Sequence, residues 1–272
     1  MIEKTFHEIE HEAWSQRASQ YDALFAAVST QAIGSSLDSL GTLQGKHHLD
    51  VACGTGHLVA AASKRGAISE GIDFAQAMVD AARTTYPAEN FQVAGATELP
   101  YDDHSLDAVT CAFGLSHMEN PQAAVNEAFR VLKAGGRFAF TLWFGPENGN
   151  EFYQMVQEAL TALATTSFAL PKEWTQLRRA DEQVCKAITL QAGFGTPFFK
   201  KLSIVWQTDS AHDVAALADK LSVRTRMVID HQPPAIQQRI HEYILSEAEA
   251  RRKNGFISLA WPALLTVVQK SR

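Results

Sequence analysis

The chain has 272 residues, 46% of them hydrophobic and 20% charged, which is material for a substantial core and excludes a disordered or fibrous protein. Its 24 Lys and Arg against 30 Asp and Glu leave a formal net charge of -6, and the basic groups come as short runs such as Lys200-Lys201, Arg178-Arg179 and Arg251-Arg252-Lys253. That distribution argues against a nucleic-acid partner, since phosphate backbones are held by clustered cations. Cys53, Cys111 and Cys185 are widely spaced and odd in number, with no CxxC pair, so neither a disulfide framework nor a cysteine zinc site is expected. The opening MIEKTFHEIEHE lacks the basic start and apolar core of a signal peptide. No run approaches the ~20 apolar residues that span a bilayer. A cytoplasmic protein without a transmembrane segment is the expectation, and the sequence leaves its oligomeric state open.

Residues 1–42 read as an N-terminal helical cap, and from about His47 to Phe144 short apolar runs alternate with helical patterns, the signature of βαβ units. HHLDVA is the first strand, followed by a Gly-rich turn and a helix through Leu58, Val59, Ala61 and Ala62. ISEGID is the second strand; the next helix places Met78, Val79, Ala81 and Ala82 on one face, and Pro87 stops the chain beyond it. FQVAG and LDAVTCAFG are the third and fourth strands, Asn120-Pro121 opens a helix that ends before Gly135-Gly136, and RFAFTLWF is the fifth strand. Beyond Gly145 the pattern is helix-rich, over Glu151 to Ala164, Asp181 to Ala192, Ala211 to Leu221 and Ala235 to Arg252, with FFKKLSIVWQ and FISLAWPALLTVVQK as bracketing strands. The predicted organisation is one α/β domain: a core over 43–208, a helical lid inserted at 209–254, and a final strand in 255–272 returning to the core.

LDVACGTGHL, residues 49–58, passes from a strand ending near Asp50 through Gly54-Thr55-Gly56 into a helix. Glycine without a Cβ makes the turn tight and lets a ligand lie against the main chain. A third glycine completing GxGxxG would fall at residue 59, which is Val59, so hydride chemistry on a dinucleotide is disfavoured. Asp73 closes the second strand at the neighbouring C-terminal edge, where a carboxylate can accept both protons of a ribose diol, although a solvated surface Asp explains it equally well in isolation.

The succession LDVACGTGHL, EGIDFAQAMVDAAR, GATELPYDDHSLDAVTCAFGLSHMENP and VLKAGGRFAFTLW, spanning residues 49 to 143, resembles the motifs of class I S-adenosylmethionine-dependent methyltransferases. It is most similar to the small-molecule group that includes the ubiquinone and menaquinone C-methyltransferases and natural-product O- and N-methyltransferases. WSQRASQYDALF, residues 14–25, resembles that group's N-terminal cap, in which a Tyr-Asp pair, here Tyr21-Asp22, precedes the helix that closes over the cofactor. The resemblance implies a doubly wound, Rossmann-like α/β fold with a seven-stranded sheet whose last strand is antiparallel. It implies S-adenosyl-L-methionine as cofactor, S-adenosyl-L-homocysteine as product, and methyl transfer to an O, N, S or C nucleophile of a small-molecule acceptor. Asp50, Gly54 and Gly56 would line the methionine part, Asp73 would take the ribose, and Phe74 and Met78 would sandwich the adenine, with Tyr21 and Phe113 also at the cofactor. The family often has an Asp after strand three for the adenine amino group; Gly95 stands there, leaving Ala96 backbone and the Thr97 hydroxyl for that edge.

Ser116 and His117 follow strand four, where the family opens its pocket to substrate; His117 is either a general base or a structural hydrogen bond to the loop. Trp143 and Trp14 are candidates for an aromatic wall against a flat acceptor, with core burial as the alternative for Trp143. The chain lacks the Asn/Asp-Pro-Pro-aromatic motif of enzymes that methylate base amines. His7-Glu8-Ile9-Glu10-His11 matches HExxH, the zinc-protease pattern, but lies in a charged N-terminal stretch, and no metal is expected. The alternative functions are a protein of this fold that keeps the cofactor for a non-methylating rearrangement and a non-catalytic cofactor-binding partner.

Overall fold

The computed structural model describes residues 5–167, 177–220 and 223–271; residues 1–4 of the predicted cap, Leu221 at a predicted helix end and Arg272 lie outside them. The chain begins with α1 (Phe6–Leu24), α2 (Ala26–Ser29) and α3 (Ile33–Ser39), then enters a βα succession of β1 (His47–Val51), α4 (His57–Ser63), β2 (Ile68–Asp73), α5 (Gln76–Thr85) and β3 (Asn90–Val93). It continues through β4 (Leu106–Ala112), α6 (Pro121–Val131), β5 (Leu132–Trp143), α7 (Glu151–Leu163), α8 (Glu182–Gln191), β6 (Phe198–Leu202) and β7 (Val205–Thr208). The helices α9 (Ala211–Lys220), α10 (Val223–Asp230) and α11 (Pro234–Ala250) follow, and β8 (Arg252–Lys253), β9 (Phe256–Ala260) and β10 (Ala263–Gln269) end the chain.

Seven strands form one sheet in the order β3-β2-β1-β4-β5-β10-β6. β1 pairs parallel with β2 and β4, β2 with β3 and β4 with β5, whereas β10 runs antiparallel to both β5 and β6. The predicted sheet is therefore observed, antiparallel final strand included. Side chains alternate across it as a period of two requires: Ala139 and Trp143 of β5 enter the core layer with α3, α4 and α7, while Phe138, Phe140 and Leu142 enter the opposite layer with α6 and α8. Burial on both faces explains the nearly unbroken apolar runs. α6 starts where predicted because the Asn120 side chain accepts from Ala123 N at 3.0 Å and Pro121 occupies the first turn, where its missing N–H costs nothing.

Two predicted strands are each broken in two. FFKKLSIVWQ forms β6 and β7, and FISLAWPALLTVVQK forms β9 and β10, with β7 and β9 belonging to a separate three-stranded sheet, β7-β9-β8. Pro262 brings no N–H to a ladder, so the run bends there, and Trp261 N bonds Ile204 O at 2.8 Å, fastening both breaks at one point. β5 begins at Leu132, ahead of the predicted RFAFTLWF: the register jumps from Leu106↔Leu132 to Ala108↔Arg137, so Gly135, at φ 81, lies inside a bulge. α10 was not anticipated from its sequence.

The chain adds β2 and β3 on one side of β1 and then crosses to place β4 on the other. The C-terminal ends of β1 and β4 therefore flank a topological switch point, where open α/β sheets hold their ligands.

Candidate active site

The strands ending at this switch point leave the sheet in unusual conformations. Ala52, just after β1, has φ 58 and Phe113, just after β4, has φ 62, both left-handed for residues with a Cβ, at a cost of roughly 1–2 kcal/mol each. Strain of this kind persists where the surroundings impose it and collects at functional sites. Both residues line a cavity of about 700 Å³.

The cavity joins two chemically different regions. Gly54, Asp73, Phe74, Met78, Ala96 and Thr97 line one end, while Phe25, Phe113, Trp143, Phe152, Tyr153 and Trp261 form an aromatic wall at the other. Gly54 has φ 52 and a Cβ added to it would meet nothing within 4 Å, so the turn presents bare backbone to open space. Asp73 is 5% exposed; its Oδ2 accepts from Gly54 N and its Oδ1 from Ala75 N, both at 3.0 Å. Burial pushes its carboxyl upward, against the pull of these backbone hydrogen bonds and of the nearby His117 charge. In the wall, Phe113 and Trp143 stack at 3.7 Å with their planes 3° apart, and Trp261 stacks on Phe152 at 4.6 Å. Trp143 is therefore both core and cavity surface.

α1 closes the space between these regions. Trp14 and Tyr21 line the cavity from this helix, and burial raises the Tyr21 phenol to about 12, so it stays protonated at neutral pH. Asp22 fastens the helix to the Gly-rich turn, accepting from Thr55 Oγ1 at 2.6 Å and contacting His57 Nε2 at 3.0 Å. Ser116 and His117 line the cavity from the turn after β4. The bond made by His117 is not to its own loop: Nδ1 lies 3.0 Å from Glu10 Oε2 on α1, and the same oxygen accepts from Trp14 Nε1 at 3.0 Å. With Nδ1 donating to a carboxylate, the neutral ring leaves Nε2 as an acceptor.

Of the fourteen distinct residues nominated from the sequence (Trp14, Tyr21, Asp50, Gly54, Gly56, Asp73, Phe74, Met78, Ala96, Thr97, Phe113, Ser116, His117 and Trp143), all but Asp50 and Gly56 line this cavity. Asp50 is 2% exposed beneath it, accepting from Thr110 Oγ1 at 2.7 Å; Thr110 Oγ1 also contacts His48 Nε2, whose Nδ1 reaches Ser69. A polar chain across β4, β1 and β2 satisfies Asp50, and it does not reach the cavity surface. Gly56 is left-handed at φ 88, and a Cβ there would lie 2.6 Å from Phe91 Cζ and 3.2 Å from Ala82 Cβ. It permits close packing of α4 against α5 and β3, away from the ligand space.

The HExxH spacing of His7 and His11 serves packing. Their rings meet Phe74 edge-on at 5.5 and 5.6 Å, and among the described residues no trio of His, Cys, Asp or Glu is grouped to hold a metal ion. Cys53, Cys111 and Cys185 are buried and free, and among the described residues no helix is long and apolar enough to cross a membrane. Sequence reasoning missed Glu10, Phe152, Tyr153 and Trp261. Glu10 sits in a highly charged stretch that reads as a solvated face, and the three aromatics carry ordinary core periodicity.

Residues 49–140 match a family model described as a methyltransferase domain. A demethylmenaquinone methyltransferase from Renibacterium salmoninarum is 32% identical over 144 residues, 52% of this chain and 61% of that protein, so the chain spans less than two thirds of this relative. Another demethylmenaquinone methyltransferase, from Beutenbergia cavernae, is 32% identical over 178 residues, 62% of this chain and 73% of its own length. Among solved structures, the YcgJ protein of Bacillus subtilis superposes with a TM-score of 0.60 at 21% identity, covering 89% of this chain and 99% of that one, a likeness of fold. With the Gly54–Asp73 corner at the switch point of a seven-stranded sheet, these matches establish that the chain belongs to the class I S-adenosylmethionine-dependent small-molecule methyltransferases.

Proposed function

We propose that the chain transfers the methyl group of S-adenosylmethionine to a flat, apolar acceptor, of the kind represented by the quinone precursors for which its relatives are named. The observation that carries this reading is the continuity of one cavity from the Asp73–Gly54 corner to the Phe113–Trp143 and Phe152–Trp261 stacks. The residues fit the cofactor: Gly54 offers a left-handed turn whose missing Cβ leaves open space beside the backbone, Asp73 a buried carboxylate, and Phe74 and Met78 apolar surface. Asp73 would hold the ribose, the Gly54 backbone the methionine part, Phe74 and Met78 the adenine faces, and Ala96 and Thr97 the adenine edge, since Gly95 carries no carboxylate. When bound, S-adenosylmethionine supplies a methyl group on a sulfonium, electrophilic enough to need no protein nucleophile.

The protein's own contribution is then position and proton handling. Alignment of two bound reactants is worth up to about 7–11 kcal/mol. The aromatic stacks would fix the plane of the acceptor, and the apolar wall would exclude water from the reacting atoms. Where the acceptor presents O–H, His117 Nε2 would receive its proton while Glu10 Oε2 holds the ring through Nδ1, and the imidazolium later returns that proton to solvent. Two measurements test the reading. Calorimetry should show S-adenosylhomocysteine binding to the purified chain, and labelled S-adenosylmethionine should transfer its label to a demethylated naphthoquinol. Binding without transfer to any aromatic acceptor in a panel would overturn the assigned acceptor class.

A further inference from the structure

Glu10 carries an atom that the proposed function leaves unused. The side chain is 1% exposed and lines the cavity; Oε2 accepts from His117 and Trp14, whereas the buried Oε1 has no hydrogen-bond partner among the described residues. Buried carboxylate oxygens are nearly always paired, so an unpaired one on a residue that lines a cavity points to a donor on the ligand. Its neighbours locate it. His7 and His11, on the same turns of α1, set their rings against Phe74, the residue after Asp73. His117, held by Glu10 on the other side, is near enough to Asp73 to favour its ionised form. Glu10 and Asp73 therefore line the same cavity with His117 as a shared neighbour. Both oxygens of Asp73 already accept a backbone N–H, which reduces what that carboxylate alone can offer a diol.

We propose that Glu10 Oε1 accepts a hydrogen bond from a ribose hydroxyl of the bound nucleoside, so that two carboxylates, Asp73 from β2 and Glu10 from α1, grip the diol together. This rests on the reading of the cavity as the S-adenosylmethionine site. It makes α1 a recognition element for ribose. It also gives the HEIEHE stretch a function: two histidines pack on the wall beside the adenine while the glutamate between them selects the sugar.

Calorimetry on the full chain with S-adenosylhomocysteine and its 2′,3′-dideoxy analogue tests this. Binding of S-adenosylhomocysteine by the wild type establishes the underlying reading on its own, and its absence defeats that reading and the assignment together. Given binding, Glu10→Gln should weaken S-adenosylhomocysteine by about tenfold or more, the scale of one charge-assisted hydrogen bond, yet change affinity for the dideoxy analogue less than about twofold. Glu10→Ala should give the same ligand-dependent pattern and serves if the Gln variant folds poorly by circular dichroism. Equal losses for both ligands would assign Glu10 to holding α1 in place, and unchanged affinity for S-adenosylhomocysteine would remove it from the site; either result overturns the proposal.

Discussion

Asp50 and Asp73 lie near the C-terminal ends of adjacent strands, yet one is buried in a polar chain under the sheet edge and the other opens on the cavity. Asp73→Ala should weaken S-adenosylhomocysteine by roughly 10-fold to 150-fold, the range for a lost charge-assisted acceptor, and should also slacken the turn by freeing Gly54 N and Ala75 N. Asp50 and its neighbour His48 predict a pH effect instead. Burial raises the Asp50 carboxyl to about 7 from 3.8, and lowers the His48 imidazole to about 3 from 6.5. For Asp50 the folded state holds more protons than the unfolded one, so its contribution is full below pH 3.8 and is lost as pH rises towards 7. For His48 the folded state holds fewer, so its contribution is full above pH 6.5 and is lost as pH falls towards 3. Between those limits the slopes oppose each other. His48→Gln should unmask the acid, and urea midpoints that fall from pH 4 to pH 7 in the variant, but not in the wild type, would bear this out. His117→Ala, at saturating cofactor and with an O–H acceptor, should lower turnover, typically about 10²-fold or more for a lost base, with partial recovery at higher pH as solvent deprotonates the acceptor. A loss under about threefold would leave His117 a positioning group.

At the scale of elements, Gly54 and Gly56 are two residues apart and do unlike work. Gly56→Ala would force a methyl against Phe91 at a left-handed φ, so a stability loss of about 1–3 kcal/mol from overpacking is expected in denaturant titrations. The residual folded protein should keep its nucleoside affinity, because that glycine faces away from the cavity. The sequence does not separate the two roles: both glycines obey the same turn chemistry, and only the direction of the absent Cβ distinguishes them. What was legible is the strand–turn–helix alternation from β1 to β5, where apolar periodicity and a capped helix at Asn120 agree. Most of the twelve nominated residues that meet at the cavity sit in or just after the ends of these strands on one edge of the sheet, whereas Trp14 and Tyr21 come from α1 and Met78 from α5. The break at Ile204 was not legible, since FFKKLSIVWQ is a continuous β-favouring run whose division depends on its contact with Trp261; in FISLAWPALLTVVQK the signal was Pro262, which the predicted strand runs through. Glu10 was hidden for a related reason: in a helix as charged as α1, burial of one carboxylate is decided by what lies across from it.

At the scale of the molecule, the aromatic wall is also the joint between its parts. Phe25 follows α1, Trp143 ends β5, Phe152 belongs to α7, and Trp261 lies between β9 and β10; Phe25 meets Trp143 at 5.7 Å and Trp261 at 6.0 Å. Trp261 is 1% exposed and also contacts Tyr153 and Trp206, so the N-terminal helices, the main sheet and the three-stranded sheet converge on one side chain. Removing it combines lost transfer energy with a void that rigid neighbours cannot fill, and Trp261→Ala should destabilise the ligand-free chain by about 3–5 kcal/mol. Such a loss is a large share of a typical domain's stability, about 5–15 kcal/mol, so expression and thermal midpoint should both fall. Saturation with S-adenosylhomocysteine at about a hundred times its dissociation constant should restore about 2.7 kcal/mol by mass action, because the proposed nucleoside corner is built by Asp73 and Gly54 and not by the aromatic stack of Trp261 on Phe152. The variant should therefore fold with ligand and bind the nucleoside with nearly native affinity, yet methylate a flat acceptor poorly. A thermal midpoint that S-adenosylhomocysteine leaves unmoved in Trp261→Ala, while raising it in the wild type, would mean that the two ends of the cavity are one cooperative unit and that the division between nucleoside corner and acceptor wall is wrong.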